Sequence, residues 1–391
     1  MMAIFSNKVF VFYAFLCSHS LLIGLFPFYL GVYLYEKQIA LSQIALFVAI
    51  SGLGFCVGLY LLEYCLKVLR LSSTIAYSFG INILLLSCIF WENSSYFLYI
   101  CAILSGFYGC YFYTLNRLLF FDILSINDSG KKYGNLQIVV TVMLNIGIFI
   151  GGFLLQYYDY FILFVVSTAM AIVFSLLFWR SPLVLASPVQ FGYFSHIVSF
   201  KDKLNSKAIF VLDGLFLFLE SYFWSITLFL ISKENFLTLG IWVISLSIMF
   251  ALLFYVLKNT IDRLSIQATY LLAIGLYSLS WILRGTISED KSLATTFIIL
   301  VSVTFFTAFF RLSFSKRFFD IAKESTKYKY LFLKSYYTQF CVFVWFALVA
   351  YFFHTFGESA QTTSLLYFGV SFLALGYALY LSPSATTRDN T

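Results

Sequence analysis

The sequence is short of charge: Asp, Glu, Lys and Arg make up 10% of its 391 residues, against roughly 25% in soluble globular chains. Hydrophobic residues make up 62% and the mean hydropathy is +0.93, so there is too little polar side chain to cover a water-facing surface of this size. Lipid is the expected solvent. The marks of soluble catalysis are also missing. There is no Walker A run, no G-x-S-x-G, no H-E-x-x-H and no soluble segment large enough to hold a nucleotide, which argues against an enzyme, a primary pump or a bound cofactor. The seven cysteines form no C-x-x-C pair and have no histidine partner at metal-ligand spacing, so no metal site is expected. They read as small packing residues. The short alternating segments of a membrane β-barrel are absent as well. That leaves helices, which satisfy every backbone amide within the segment.

What is present is a succession of apolar runs near the 20 residues needed to cross a bilayer, punctuated by charge. Crossings are expected at about 9–31, 40–62, 71–90, 96–119, 134–156 and 160–179, and again at 208–231, 236–257, 264–283, 293–314, 332–354 and 362–382. The 27 residues after Lys8 carry no acidic or basic group except His19, too long a run for a cleavable leader, and are read as the first crossing. Residues 181–207, with Pro182 and Pro188, read as a linker between a six-helix bundle at 1–180 and another at 208–391. Assigning successive loops to alternate sides puts 20 of the 24 Lys and Arg on the side of the N-terminus; Lys37, Lys233, Arg284 and Lys291 fall on the other. That asymmetry predicts a multi-pass protein of the cytoplasmic (inner) membrane with both termini cytoplasmic. It also accounts for the net charge of +7 without nucleic acid as a partner.

The two halves repeat. Phe120-Phe121-Asp122-Ile123 recurs as Phe318-Phe319-Asp320-Ile321, 198 residues later, and Lys132-Tyr133 matches Lys329-Tyr330 near the same offset. Six crossings thus map onto six in the same order, a parallel duplication. With its central linker, this plan resembles the major facilitator superfamily. Gly147, Gly151 and Gly152 in N-I-G-I-F-I-G-G are similar to that family's glycine-rich fifth helix, where small residues let helices approach closely. Glu63 and Lys67 after Gly58, and Asp262-Arg263 in the second half, are the nearest counterparts of the family's signature between helices two and three. The resemblance implies an all-α bundle of twelve transmembrane helices, six plus six, whose helices one, four, seven and ten line a central cavity.

Charges within a crossing cost about 2.5–3.5 kcal/mol each at a helix centre and therefore mark function. His19, Arg117, Asp213, Glu220 and Arg311 fall in crossings one, four, seven and ten. Asp213 and Glu220 are seven residues apart and share a helix face, about 10 Å apart along the axis. Glu220 is the leading candidate to carry a proton, with Asp213 and His19 as further candidates. Arg117, Arg311, Tyr113, Phe223 and Trp224 are candidates to line a substrate cavity. Glu63, Lys67, Asp122, Asp262, Arg263, Arg317 and Asp320 are candidates for a cytoplasmic gate, with Arg117–Asp122 and Arg317–Asp320 as interfacial ion pairs. The function these readings favour is a secondary active transporter. It would move a small organic solute through the bilayer by alternating access, coupled to a proton or another ion. An envelope-polysaccharide polymerase or lipid-linked oligosaccharide flippase is the alternative. A polymerase should carry a large outward loop rich in arginine, whereas the outward loops here are short.

Overall fold

A computed structural model describes residues 8–90, 96–123, 129–180, 206–260, 266–288, 291–324 and 327–380, and among these every regular element is helical. The first half comprises α1 (Lys8–Leu25), α2 (Leu30–Glu36), α3 (Leu41–Val68), α4 (Leu71–Phe90), α5 (Phe97–Ile123), α6 (Ser129–Tyr157) and α7 (Tyr160–Trp179). The second comprises α8 (Ser206–Phe218), α9 (Trp224–Ile231), α10 (Phe236–Thr260), α11 (Ile266–Gly285), α12 (Leu293–Glu324), α13 (Lys327–Phe356) and α14 (Ala360–Ala374). Among the described residues, ten helical stretches are long and apolar enough to cross a membrane. The crossings expected at 236–257 and 264–283 are occupied by α10 and α11. Of these, α10 contributes a shorter apolar stretch, Phe236–Met249.

Several helices outrun the crossings expected from hydropathy. α3 continues to Val68, α12 to Glu324, and α13 begins at Lys327 rather than at 332. Charge marks where hydrocarbon ends, but Lys, Glu and Arg are good helix formers, so the backbone continues as helix beyond it. Within the bundle α3 packs on α5 and α13, α6 on α1 and α10, α4 on α7, and α11 on α12 and α14. Glycine permits the tightest of these contacts. A Cβ on Gly24 would stand 2.2 Å from the Leu144 carbonyl oxygen, and one on Gly147 would stand 2.3 Å from that of Leu21. The α1–α6 seam is therefore backbone against backbone, and Gly151 continues it beside Leu25.

Two crossings are broken in mid-course. α1 gives way to a 3₁₀ turn at Pro27–Tyr29 before α2 resumes, because Pro27 has no N–H to donate and its ring crowds the preceding turn. α8 and α9 are joined by a π-helical turn, Leu219–Phe223, which includes Glu220. The breaks meet: a Cβ on Gly31 would lie 3.2 Å from the Tyr222 ring. At the end of the bundle opposite Lys8 the halves also touch. There the Glu358 carboxylate accepts hydrogen bonds from the backbone N–H groups of Leu41 (2.9 Å) and Ser42 (3.1 Å) and from the Ser42 hydroxyl (2.6 Å).

Candidate functional site

Between the halves lies a cavity of about 450 Å³, within the range of small-molecule sites. The first half contributes Pro27 and Phe28 from the broken first crossing, Ser51 and Phe55 from α3, and Tyr108, Phe112, Tyr113 and Arg117 from α5. The second half contributes Glu220, Ser221 and Tyr222 from the π turn and Lys334, Ser335, Thr338 and Gln339 from α13. The wall is mostly apolar and aromatic, with ionisable groups from both halves at a few points.

At and behind this wall runs a chain of buried and half-buried ion pairs. The Arg311 guanidinium on α12 is forked: Nη1 donates to Asp213 Oδ1 and Nη2 to Glu220 Oε2, each at 2.9 Å. One arginine can span both carboxylates because they lie on the same side of the seventh crossing, two turns apart. Lys334 on α13 reaches the other Asp213 oxygen at 3.0 Å, and the Tyr377 hydroxyl donates to Oδ1 at 3.1 Å. The second Glu220 oxygen accepts from the Tyr277 hydroxyl at 2.6 Å. Asp213 is 1% exposed and Lys334 6%. Each carboxylate thus has both oxygens engaged, as charges withdrawn from water must be.

The sequence-based candidates therefore separate. Glu220, Arg117 and Tyr113 line the cavity, and Asp213 and Arg311 form the ion-pair chain behind it. His19 lies outside the lining. It is fully buried between the rings of Phe79 (4.1 Å) and Phe112 (4.8 Å), with its nitrogens on the Ser78 hydroxyl (2.8 Å) and the Tyr108 hydroxyl (3.3 Å). Phe223 stacks on Phe353 and Phe346 of α13, and Trp224 lies beside Arg284 and Tyr367. Neither lines the cavity. Among the gate candidates, Glu63 and Lys67 form an exposed i,i+4 pair at 2.8 Å within α3. Arg317 donates to the Tyr380 carbonyl at 2.6 Å and packs over the rings of Tyr270 and Tyr380. The side chains of Asp122 and Asp320, and the residues Asp262 and Arg263, lie outside the described residues.

Two residues were missed by reading charge as a loop marker. Lys334, assigned to the N-terminal side of the membrane, is a buried member of the site. Arg284, assigned to the opposite side, is 3% exposed, bonded to Ser280 and Thr307 and held against the rings of Trp281 and Trp224. Lys334 sits two positions inside the expected start of its crossing, a cue for burial that the loop count overrode.

No protein-family model and no curated protein matches the chain by sequence. Solved structures do match by fold. The nucleoside transporter NupG superposes with a TM-score of 0.72 at 13% identity, covering 96% of this chain and 100% of that one. The human organic anion transporter MFSD10 (TETRAN) superposes with a TM-score of 0.62 at 15% identity, covering 96% and 99%. Both are membrane transporters of the major facilitator type, not enzymes, and this chain has their fold over nearly its whole length.

Proposed function

We propose that this chain is a secondary active transporter that carries a small organic solute across the cytoplasmic membrane by alternating access, coupled to a proton. The observation that carries the reading is the cavity walled by both halves, with half-buried Glu220 on its wall and paired to Arg311. Ionised groups in a bundle this apolar are retained where a watery path reaches them. The two superposed transporters are named for a nucleoside and an organic anion, which supports a small organic solute here. In this reading the chain makes twelve crossings, arranged as bundles 1–180 and 208–391 about a linker at 181–207, with both termini cytoplasmic. The contacts α3–α13 and α6–α10 favour that layout, because a shift of six crossings exchanges one pair with the other. The first and seventh crossings are also each interrupted in mid-course, by a 3₁₀ turn and a π turn respectively.

Glu220 is the proposed proton carrier. It lies in a π turn, a local backbone irregularity frequent at functional sites, and it alone of the two carboxylates lines the cavity. Protonation would release the Arg311 fork on one side, giving the bundle two charge arrangements to alternate between. Asp213 acts with it through Arg311, and Arg117 and Tyr113 contact the solute. The test is flux into proteoliposomes under an imposed pH gradient, comparing wild type with Glu220→Gln. The variant should express and fold, yet lose the pH dependence of transport. Unchanged proton-linked flux would remove Glu220 from the coupling mechanism.

A further inference from the structure

Among the described residues, the charged groups that line the cavity are two cations, Arg117 and Lys334, and one carboxylate, Glu220. Arg284, Arg311 and Lys334 are each buried or nearly so, and the carboxylates among them are Asp213 and Glu220. Both carboxylates already have their oxygens occupied, by Arg311, Lys334, Tyr277 and Tyr377. Arg311 and Lys334 thus match Asp213 and Glu220 in charge, and Arg284 stands apart from the cavity against Trp224 and Trp281; at the cavity wall itself the lone carboxylate, Glu220, is already engaged, and Lys334 brings a cation there. An ammonium offers three donors. One goes to Asp213, while the aromatic faces of Phe314 (4.9 Å) and Phe318 (4.6 Å) flank the group. Arg117, from the other half, lines the same cavity, and its charge opposes that of Lys334.

We infer that the solute is an organic anion whose negative group sits between Arg117 of the first half and Lys334 of the second. The inference rests on the transport reading above and names its substrate class. An anion at that point offsets the repulsion between the two cations, which matters most where water is scarce. A neutral solute leaves that repulsion in place, and a cation adds to it. Phe55, Tyr113, Phe218 and Tyr222 in the wall suit a flat or apolar body attached to the charged group. Because the two cations belong to different halves, the bound anion also ties the halves together. Occupancy and closure become one event.

The experiment loads proteoliposomes of the full chain from a small-metabolite extract and identifies what accumulates by mass spectrometry. Nicotinate, nicotinamide and 3-picolylamine serve as anionic, neutral and cationic competitors on one ring. Accumulation of anions, inhibited by nicotinate more than by its two partners, is the expected result. Accumulation of neutral or cationic solutes overturns the inference and leaves the transport reading intact; accumulation of nothing overturns the transport reading itself. For the anion found, Lys334→Gln and Arg117→Gln should each raise the half-saturating concentration by at least about tenfold, as loss of one charge-assisted contact does. Lys334→Arg and Arg117→Lys should retain most of the affinity. If Lys334→Gln is not monodisperse, Arg117→Gln carries the test, and unaltered affinity in that variant refutes the site.

Discussion

Glu358→Ala should loosen the contact between the halves at the end of the bundle opposite Lys8. The first residues of α3 need acceptors for their free N–H groups, and Ala40 at the N-cap has no side chain to supply one. Glu358, between α13 and α14, does so from 317 residues away, through both carboxylate oxygens. Loss of an N-cap typically costs about 1 kcal/mol, and the exposure of Glu358 argues against a larger value. The α3 helix is held by packing on α5 and α13 and will stay folded, so the loss falls on the closed arrangement. About 1 kcal/mol changes the closed-to-open ratio roughly fivefold. Pulsed electron resonance between labels at the exposed positions Lys37 and Gln361, in liposomes, reads that ratio directly. Partial burial raises the Glu358 pKa, but the bonds from Ser42 and Leu41 outweigh it and hold the carboxyl below its ordinary value. A folded-state pKa that is depressed contributes stability above the unfolded value and loses it only as pH falls through the lowered one. The difference between wild type and Glu358→Ala should therefore persist from about pH 8 down to about pH 5, above the reference value for glutamate, whatever protonation of Glu220 does to both. A distribution that is the same in Glu358→Ala as in wild type, or a difference between the two that vanishes within that pH window, would refute the capping argument.

Three further substitutions probe the first half. His19→Ala removes a ring packed between Phe79 and Phe112 and should lower stability by about 2–4 kcal/mol through the void it leaves; thermal unfolding in detergent measures this, and the pH profile of flux should not move. Gly24→Ala drives a methyl group into the Leu144 carbonyl and should cost about 1–3 kcal/mol. Gly80→Ala, whose added Cβ meets nothing within 4 Å, should be neutral or slightly stabilising in the same assay.

Much of the helical plan was legible because lipid punishes charge and so writes the crossings into its spacing. The Asp213–Glu220 face was legible for the same reason, as were the ionisable crossings. Phe223 and Trp224 were misplaced by a local cause. The π turn at Leu219–Phe223 inserts extra residues per turn and rotates the helix beyond it, so a face extrapolated along a regular helix points elsewhere. Lys334 was hidden by a different one: its helix begins at Lys327, and its partner Asp213 lies on another helix. The Glu358 cap pairs residues whose proximity depends on the closed bundle, and no local pattern reports it.

The internal repeat separates the role of the charges from the needs of the fold. At the offset of 198, Asp213, Glu220, Arg311 and Lys334 correspond to Phe15, Leu22, Tyr113 and Leu136. Phe15, Leu22 and Leu136 are buried in the first half as their charged counterparts' neighbours are in the second. On the proposed six-plus-six reading, one bundle packs with apolar residues where its duplicate holds ions, which predicts that the ions are not required for folding. Removing one of them is another matter. Arg311→Met alone leaves Asp213 and Glu220 sharing fewer partners in a low-dielectric interior and should cost about 3–5 kcal/mol. Replacing the set together, as Asp213→Asn, Glu220→Gln, Arg311→Met and Lys334→Met, withdraws both carboxylates along with the cations paired to them and should recover most of that loss while abolishing flux. Thermal unfolding of the single and the fourfold variant decides it: a fourfold variant no more stable than Arg311→Met would mean that the ion chain holds the second half together, and that the charges belong to the fold after all.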